Sequence, residues 1–290
     1  MFFGFVISTI FACSQQKTPD SSSLQTLTHD GVDREFGLFF PSNYDASEAI
    51  PLVVNIHGGC MDAASQMAAM NMRDLAEEHN FALVYPQGLP EEGSEDCLIW
   101  NSGPYATESN KTTADDLGFF ESLITDMTAS YAIDSERIYA TGFSNGGFMT
   151  YALACYQSNT FAAVAPVAGM MTPEALDSNS PNPCVTERPM PIIHFHGSSD
   201  SAVAAELGDE AVDFWVARNN TTQSNTNSVE DGPYTIEHSS YTDGDNGSAV
   251  EYYKIIGGYH ETFDGMDYEG QNSLSLIWDF FSQYDINGMR

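Results

Sequence analysis

The chain has 290 residues, 42% hydrophobic and 12% aromatic, enough for a packed core and enough to exclude disorder as its main state. No apolar run reaches the ~20 residues that a membrane-spanning helix needs, which excludes an integral helical membrane protein. Nine Lys and Arg stand against 41 Asp and Glu, a formal charge of −32 that repels nucleic acid and anionic membranes and suits a salty medium or plain solubility.

The first twelve residues, MFFGFVISTIFA, are apolar and run into Cys13 and the polar stretch SQQKTPDSSS. A short hydrophobic region ending at a small residue has the shape of a secretory signal. Ile10-Phe11-Ala12-Cys13 has the form of a bacterial lipobox, in which the cysteine becomes a lipid anchor. Residues 1–12 therefore read as a leader, 13–30 as a polar tether and 31–290 as one domain, because no repeat or Pro/Gly-rich linker divides the rest. We expect a secreted or periplasmic monomer. Export would oxidise Cys60, Cys97, Cys155 and Cys184, for which three pairings are open.

Along the domain, strand-like and helix-like runs alternate. Residues 34–40 alternate and stop at Pro41, and 51–56 are a β-branched run ending at His57-Gly58-Gly59. Met67, Met70, Met72 and Leu75 recur at helical intervals across 64–78. A strand follows at 81–85, and a helix at 115–131 carries acidic residues in its first turn. Strands at 137–141, 161–167 and 191–195 precede a helix at 204–218. Two strands, 235–241 and 249–256, flank the hairpin signal Asn246-Gly247, and 273–284 reads as an amphipathic helix. Strands separated by helices predict an α/β fold, a mostly parallel sheet covered on both faces.

Gly142-Phe143-Ser144-Asn145-Gly146 stands between a strand and a helix, the context in which G-x-S-x-G forms a nucleophile elbow. The glycines permit a turn tight enough to expose Ser144 at the sheet's carboxyl edge. A serine needs a base, and the base needs an orienting carboxylate. Asp200 lies just past the strand ending at His196, and His260 just past the strand ending at Ile256. Of seven histidines, His260 alone combines a position after Asp200 with a strand-end loop; His238 lies mid-strand. The oxyanion donors are expected at the Gly59 N–H (Cys60 being the neighbouring candidate) and the Asn145 N–H. Trp100, Phe143 and Tyr259 adjoin these groups and are candidate walls for a flat acyl group. His194 and His196 could share a strand face as a metal pair, but no further ligand cluster accompanies them, so no metal or cofactor is expected.

GFSNGGFMTYALAC, FAAVAPVAG, PIIHFHGSSD and GGYH, in this order, resemble the polyhydroxybutyrate depolymerase and feruloyl esterase group of carbohydrate esterase family 1. The resemblance runs from about residue 35 to the end. It implies an α/β-hydrolase fold, no cofactor, and Ser144, Asp200 and His260 as the triad of a serine esterase. It also suggests pairing Cys155 with Cys184 and Cys60 with Cys97. Glu261-Thr262-Phe263 stands where the family usually has Trp-Pro, and Val203-Ala204-Ala205 replaces its Pro/Tyr turn, so the resemblance does not fix the substrate. A feruloyl or acetyl ester on a polysaccharide is expected first and a polyhydroxyalkanoate second. A catalytically inactive surface binding protein is the alternative of another class.

Overall fold

The computed structural model describes residues 23–104 and 112–290; residues 1–12, expected as a leader, and Cys13 lie outside them. The first two strands, β1 (Gln25–His29) and β2 (Val32–Phe39), form a hairpin around Asp30-Gly31, both with positive φ. Residues 25–29 are therefore part of the sheet, a correction to the tether expected over 13–30. The signal was an Asp-Gly hairpin turn.

Next come β3 (Ile50–Ile56), α1 (Ala63–Ala69), α2 (Arg73–His79) and β4 (Ala82–Pro86). One helix was expected over 64–78, and two short ones form. Met70 and Met72 are both fully buried, yet residues two apart on one helix point to nearly opposite sides. Ending α1 at Met70 resolves the conflict, and the freed Met70 carbonyl accepts from Asn55 Nδ2 at 3.0 Å.

A small hairpin, β5 (Leu89–Glu91) and β6 (Ser94–Ile99), precedes α3 (Asp116–Ser130), β7 (Ile133–Phe143), α4 (Asn145–Tyr156) and β8 (Ala163–Val167). The chain continues through α5 (Pro173–Leu176), β9 (Ile192–Gly197), α6 (Ala205–Arg218), β10 (Gln223–Asp231), β11 (Tyr234–Thr242) and β12 (Val250–Ile256). It ends with α7 (Ser273–Phe281), β13 (Tyr284–Asp285) and β14 (Gly288–Met289). The expected β11–β12 pairing is present, with Asn246 and Gly247 both at positive φ, but in a longer loop than a two-residue turn.

Ten strands make one sheet in the order β1-β2-β4-β3-β7-β8-β9-β12-β11-β10. The six from β4 to β12 run parallel, and antiparallel hairpins close both sides. Alternate residues feed two cores. Leu52 and Val54 pack with α3, α4 and α6, whereas Val53 packs with α1, α2 and α7. Covering both faces explains the continuous apolar strands. Parallel strands also bring the carboxyl ends of β3, β7, β8, β9 and β12 to one edge, where the candidate residues lie.

Candidate active site

Ser144 joins β7 to α4 with φ 55° and ψ −118°, a conformation strained for any residue with a side chain. The crowding that enforces it is backbone on backbone. A Cβ on Gly142 would stand 2.5 Å from the Gly146 carbonyl oxygen, and one on Gly146 would stand 2.2 Å from that of Ile56. Only glycine at both places lets α4 begin against the end of β3. The Ser144 amide is pinned to the Val167 carbonyl at 2.9 Å, and its side chain does not cap the helix it precedes.

Asp200 and His260 arrive from neighbouring strand ends. Gly197 makes the approach possible, because a Cβ there would meet the Gly258 and Tyr259 carbonyl oxygens at 2.4 Å. Ser198 and Ser199 donate from their amides to Ile255 and Gly258, both at 2.8 Å, and stitch the two loops together. His260 Nδ1 then lies 2.6 Å from Asp200 Oδ2. Asp200 Oδ1 accepts from the Ala202 and Val203 amides at 2.8 and 2.9 Å. Burial opposes ionisation of this carboxyl, but the His260 bond and the two amides outweigh it and hold it below the usual carboxylate range. The anion orients the imidazole, with Nε2 left for proton transfer. The Phe143 ring packs 4.8 Å from the His260 ring, so this imidazole stands against the residue before Ser144. The hydrogen bonds at this edge join Asp200 to His260; none joins Ser144 to the imidazole among the described residues.

The two expected oxyanion donors belong to neighbouring residues in space. A Cβ on Gly59 would lie 3.6 Å from that of Asn145. Asn145 opens α4, so its amide belongs to the first turn, which has no intrahelical acceptor. The Gly58 carbonyl accepts from His57 Nδ1 at 2.8 Å, and the Gly59 N–H points the other way across the same planar peptide. The Cys60 amide donates to the Leu98 carbonyl at 2.8 Å, so of the two N–H groups expected here, Gly59 and Cys60, the latter already has a partner.

Trp100 is a correction. Expected as a wall for substrate, it is 2% exposed and cannot serve as one. Its indole N–H donates to the His57 carbonyl at 2.9 Å, and its amide donates to Asn145 Oδ1 at 2.7 Å. It ties the end of β3 to the first residue of α4. Sequence placed it beside Cys97 and could not tell which way the ring turned. Tyr259 is 64% exposed at the rim, and Phe143 is half-buried against the base. Both expected disulfides are present, Cys60–Cys97 and Cys155–Cys184. The former ties the oxyanion loop to β6.

The histidines set aside have other partners. His29 meets Ser122 and Asp115, His79 stacks on Trp278, and His238 stacks on Tyr253 and bonds Glu251. All four ring nitrogens of His194 and His196 have protein partners.

Among solved structures, an acetyl xylan esterase from Aspergillus awamori superposes with a TM-score of 0.63 over 90% of this chain and 99% of that one, at 18% identity. The fold is that of the α/β-hydrolase esterases. Feruloyl esterase B of Piromyces equi is 30% identical over 263 residues, 85% of this chain and 44% of that protein. Poly(3-hydroxyalkanoate) depolymerase C of Paucimonas lemoignei is 29% identical over 234 residues, 73% of this chain and 55% of that protein. The chain thus spans about half the length of these curated relatives. The family described as Esterase PHB depolymerase matches residues 35–188, more than half of the chain, and the chain belongs to that family.

Proposed function

We propose that this protein hydrolyses carboxylic esters through an acyl-enzyme on Ser144. The observation that carries the proposal is the strained serine at the end of β7 with the Asp200–His260 pair at the ends of β9 and β12 on the same edge. Ser144 Oγ attacks the ester carbonyl, and His260 Nε2 takes its proton and returns it to the leaving alkoxide. Water then repeats the sequence on the acyl-enzyme. Asp200 holds the tautomer and stabilises the imidazolium. The Gly59 and Asn145 amides receive the oxyanion, and losing one such donor costs about 10²- to 10³-fold in rate. No step calls for a metal or cofactor.

The acyl class is a feruloyl or acetyl group on a polysaccharide, the chemistry in the names of the esterase relatives. Polyhydroxyalkanoate cleavage is the second reading, favoured by the named activity of the depolymerase relative. The two disulfides fit an oxidising compartment and support export, with Cys13 as a lipid attachment point.

Turnover of a p-nitrophenyl acetate substrate tests the mechanism. Ser144→Ala should abolish it, and wild-type turnover by that variant overturns the serine route. A wild-type protein that binds esters or polysaccharide without turnover would instead indicate the inactive binding protein. Comparing kcat/KM for methyl ferulate, acetylated xylan and a 3-hydroxybutyrate oligomer ranks the substrates, and more than about tenfold preference for the oligomer puts the polyester reading first.

A further inference from the structure

Behind Asp200 a file of hydrogen-bonded side chains crosses the core from α4 to the loop after β9. Tyr151 Oη lies 3.0 Å from His194 Nδ1, His194 Nε2 lies 3.1 Å from His196 Nδ1, and His196 Nε2 lies 2.9 Å from the Val203 carbonyl oxygen. All three side chains are buried.

The last partner fixes every proton in the file. A carbonyl only accepts, so His196 Nε2 carries the hydrogen and Nδ1 is bare. His194 must then donate from Nε2, which leaves its own Nδ1 to accept from the Tyr151 hydroxyl. Each bond points towards the acid loop. Burial lowers the pKa of both imidazoles, so both stay neutral, as this single direction requires.

Val203 connects the file to the site. Its carbonyl receives the His196 N–H, while its amide donates to Asp200 Oδ1. His196 Nε2 also stands 3.5 Å from Asp200 Oδ2, the oxygen that meets His260. The other end is equally placed, because Tyr151 belongs to the helix that begins directly after Ser144. Tyr252 of β12 flanks His194, and α6 closes over both rings at Gly208, where a Cβ would lie 2.6 Å from His196 Nδ1 and 2.9 Å from His194 Nε2.

We propose that Tyr151, His194 and His196 are positioning residues that lock the loop of Asp200 to the helix of Ser144, so that Asp200 presents Oδ2 to His260. The role rests on the serine esterase reading above. The geometry asks more of these residues than filling the core: an apolar ring without the donor at His196 leaves the Val203 carbonyl unpaired and lets the acid loop shift.

The test measures kcat, KM, Tm and the far-downfield proton resonance of His260 Nδ1–H, assigned by its loss in His260→Ala. His196→Phe should lower kcat by about 10²-fold with KM changed less than about twofold, the cost of a misplaced catalytic group, and should shift or abolish the resonance. His196→Gln, whose amide N–H reaches the position of Nε2, should recover most of that kcat and the resonance. Ser144→Ala, although inactive, should keep the resonance. A folded His196→Phe with wild-type kcat and an unmoved resonance overturns the proposal. If that variant does not fold, Tyr151→Phe decides, since it removes one oxygen from the file: a several-fold fall in kcat with a shifted resonance supports the role, and wild-type values of both overturn it. Turnover retained by Ser144→Ala would overturn the serine mechanism separately, with the resonance still reporting on the loop.

Discussion

The Gly88 amide donates to His57 Nε2 at 2.9 Å, in a place where the ring is fully buried. An amide N–H only donates, so Nε2 is the bare nitrogen and the hydrogen sits on Nδ1, which gives it to the Gly58 carbonyl. The turn of the Gly58–Gly59 peptide, and with it the aim of the Gly59 N–H, follows from the tautomer of a residue that never meets substrate. A second proton on this ring would set N–H against N–H at Gly88.

Stability should therefore fall in mild acid. Burial lowers the His57 pKa from 6.5 to about 4. As pH drops, the unfolded chain takes this proton before the native one does. The contribution is complete above pH 6.5, declines below it and is exhausted near pH 4, a loss of about 3 kcal/mol. His194 and His196, also lowered, act in the same direction. Urea unfolding at several pH values between these limits should show wild type losing more stability than His57→Asn. Equal losses in the two proteins would contradict the assignment.

Gly146→Ala should cost about 3 kcal/mol or more, because its Cβ would meet two backbone oxygens, at 2.2 Å from Ile56 and 2.6 Å from His57. Backbone cannot rotate away as a side chain can. Any folded fraction should be impaired in ester turnover, since relief requires β3 and α4 to part and the Gly59 and Asn145 amides to separate. Gly93→Ala, where nothing lies within 4 Å, is the comparison for backbone strain alone. Similar unfolding midpoints for the two variants would refute the packing argument.

Much of this was legible in the sequence, for a physical reason. Strands buried on both faces must be continuous runs such as Pro51–Ile56, and an elbow must have glycine at Gly142 and Gly146, so both leave marks in one dimension. The polar edge strand β10 leaves none: seven of its nine residues, the first six without a break from Gln223 to Ser228, are exposed, and no alternation betrays it. The break between α1 and α2 was written in Met70 and Met72, but only if both are known to be buried. The turn of Trp100 is set by partners more than forty residues away, and the direction of the His194–His196 bond by a carbonyl that the acid loop folds back onto the strand. Spacing alone cannot report them.

Arg34 and Asp116 form an ion pair at 2.7 Å with side chains 2% and 0% exposed. Arg34 lies 4.0 Å from the Phe119 ring centroid, and Asp116 Oδ2 accepts from the Asn101 amide at 2.7 Å, next to Trp100. Arg34→Met or Asp116→Leu alone should cost about 3–5 kcal/mol, because each strands a buried charge. The double variant should be more stable than either single one. Additive losses in denaturant unfolding would show that the two charges are not coupled.

Cys60–Cys97 closes a loop with a sequence separation of 37, and the chain-entropy relation assigns it about 4 kcal/mol as an upper value. Removing it in Cys60→Ser/Cys97→Ser should lower stability by about 2–4 kcal/mol. Activity should suffer much less. The Cys60 amide still donates to the Leu98 carbonyl at 2.8 Å, and Trp100 still holds the His57 carbonyl and the Asn145 side chain. Those bonds, together with the His57 bond to the Gly58 carbonyl, hold the Gly59 N–H without the sulfurs. Well below the melting temperature of the variant, ester kcat should stay within about tenfold of wild type, far from the ~10²–10³ cost of losing an oxyanion donor. A folded variant that has lost that full factor would mean that the disulfide itself shapes the oxyanion loop.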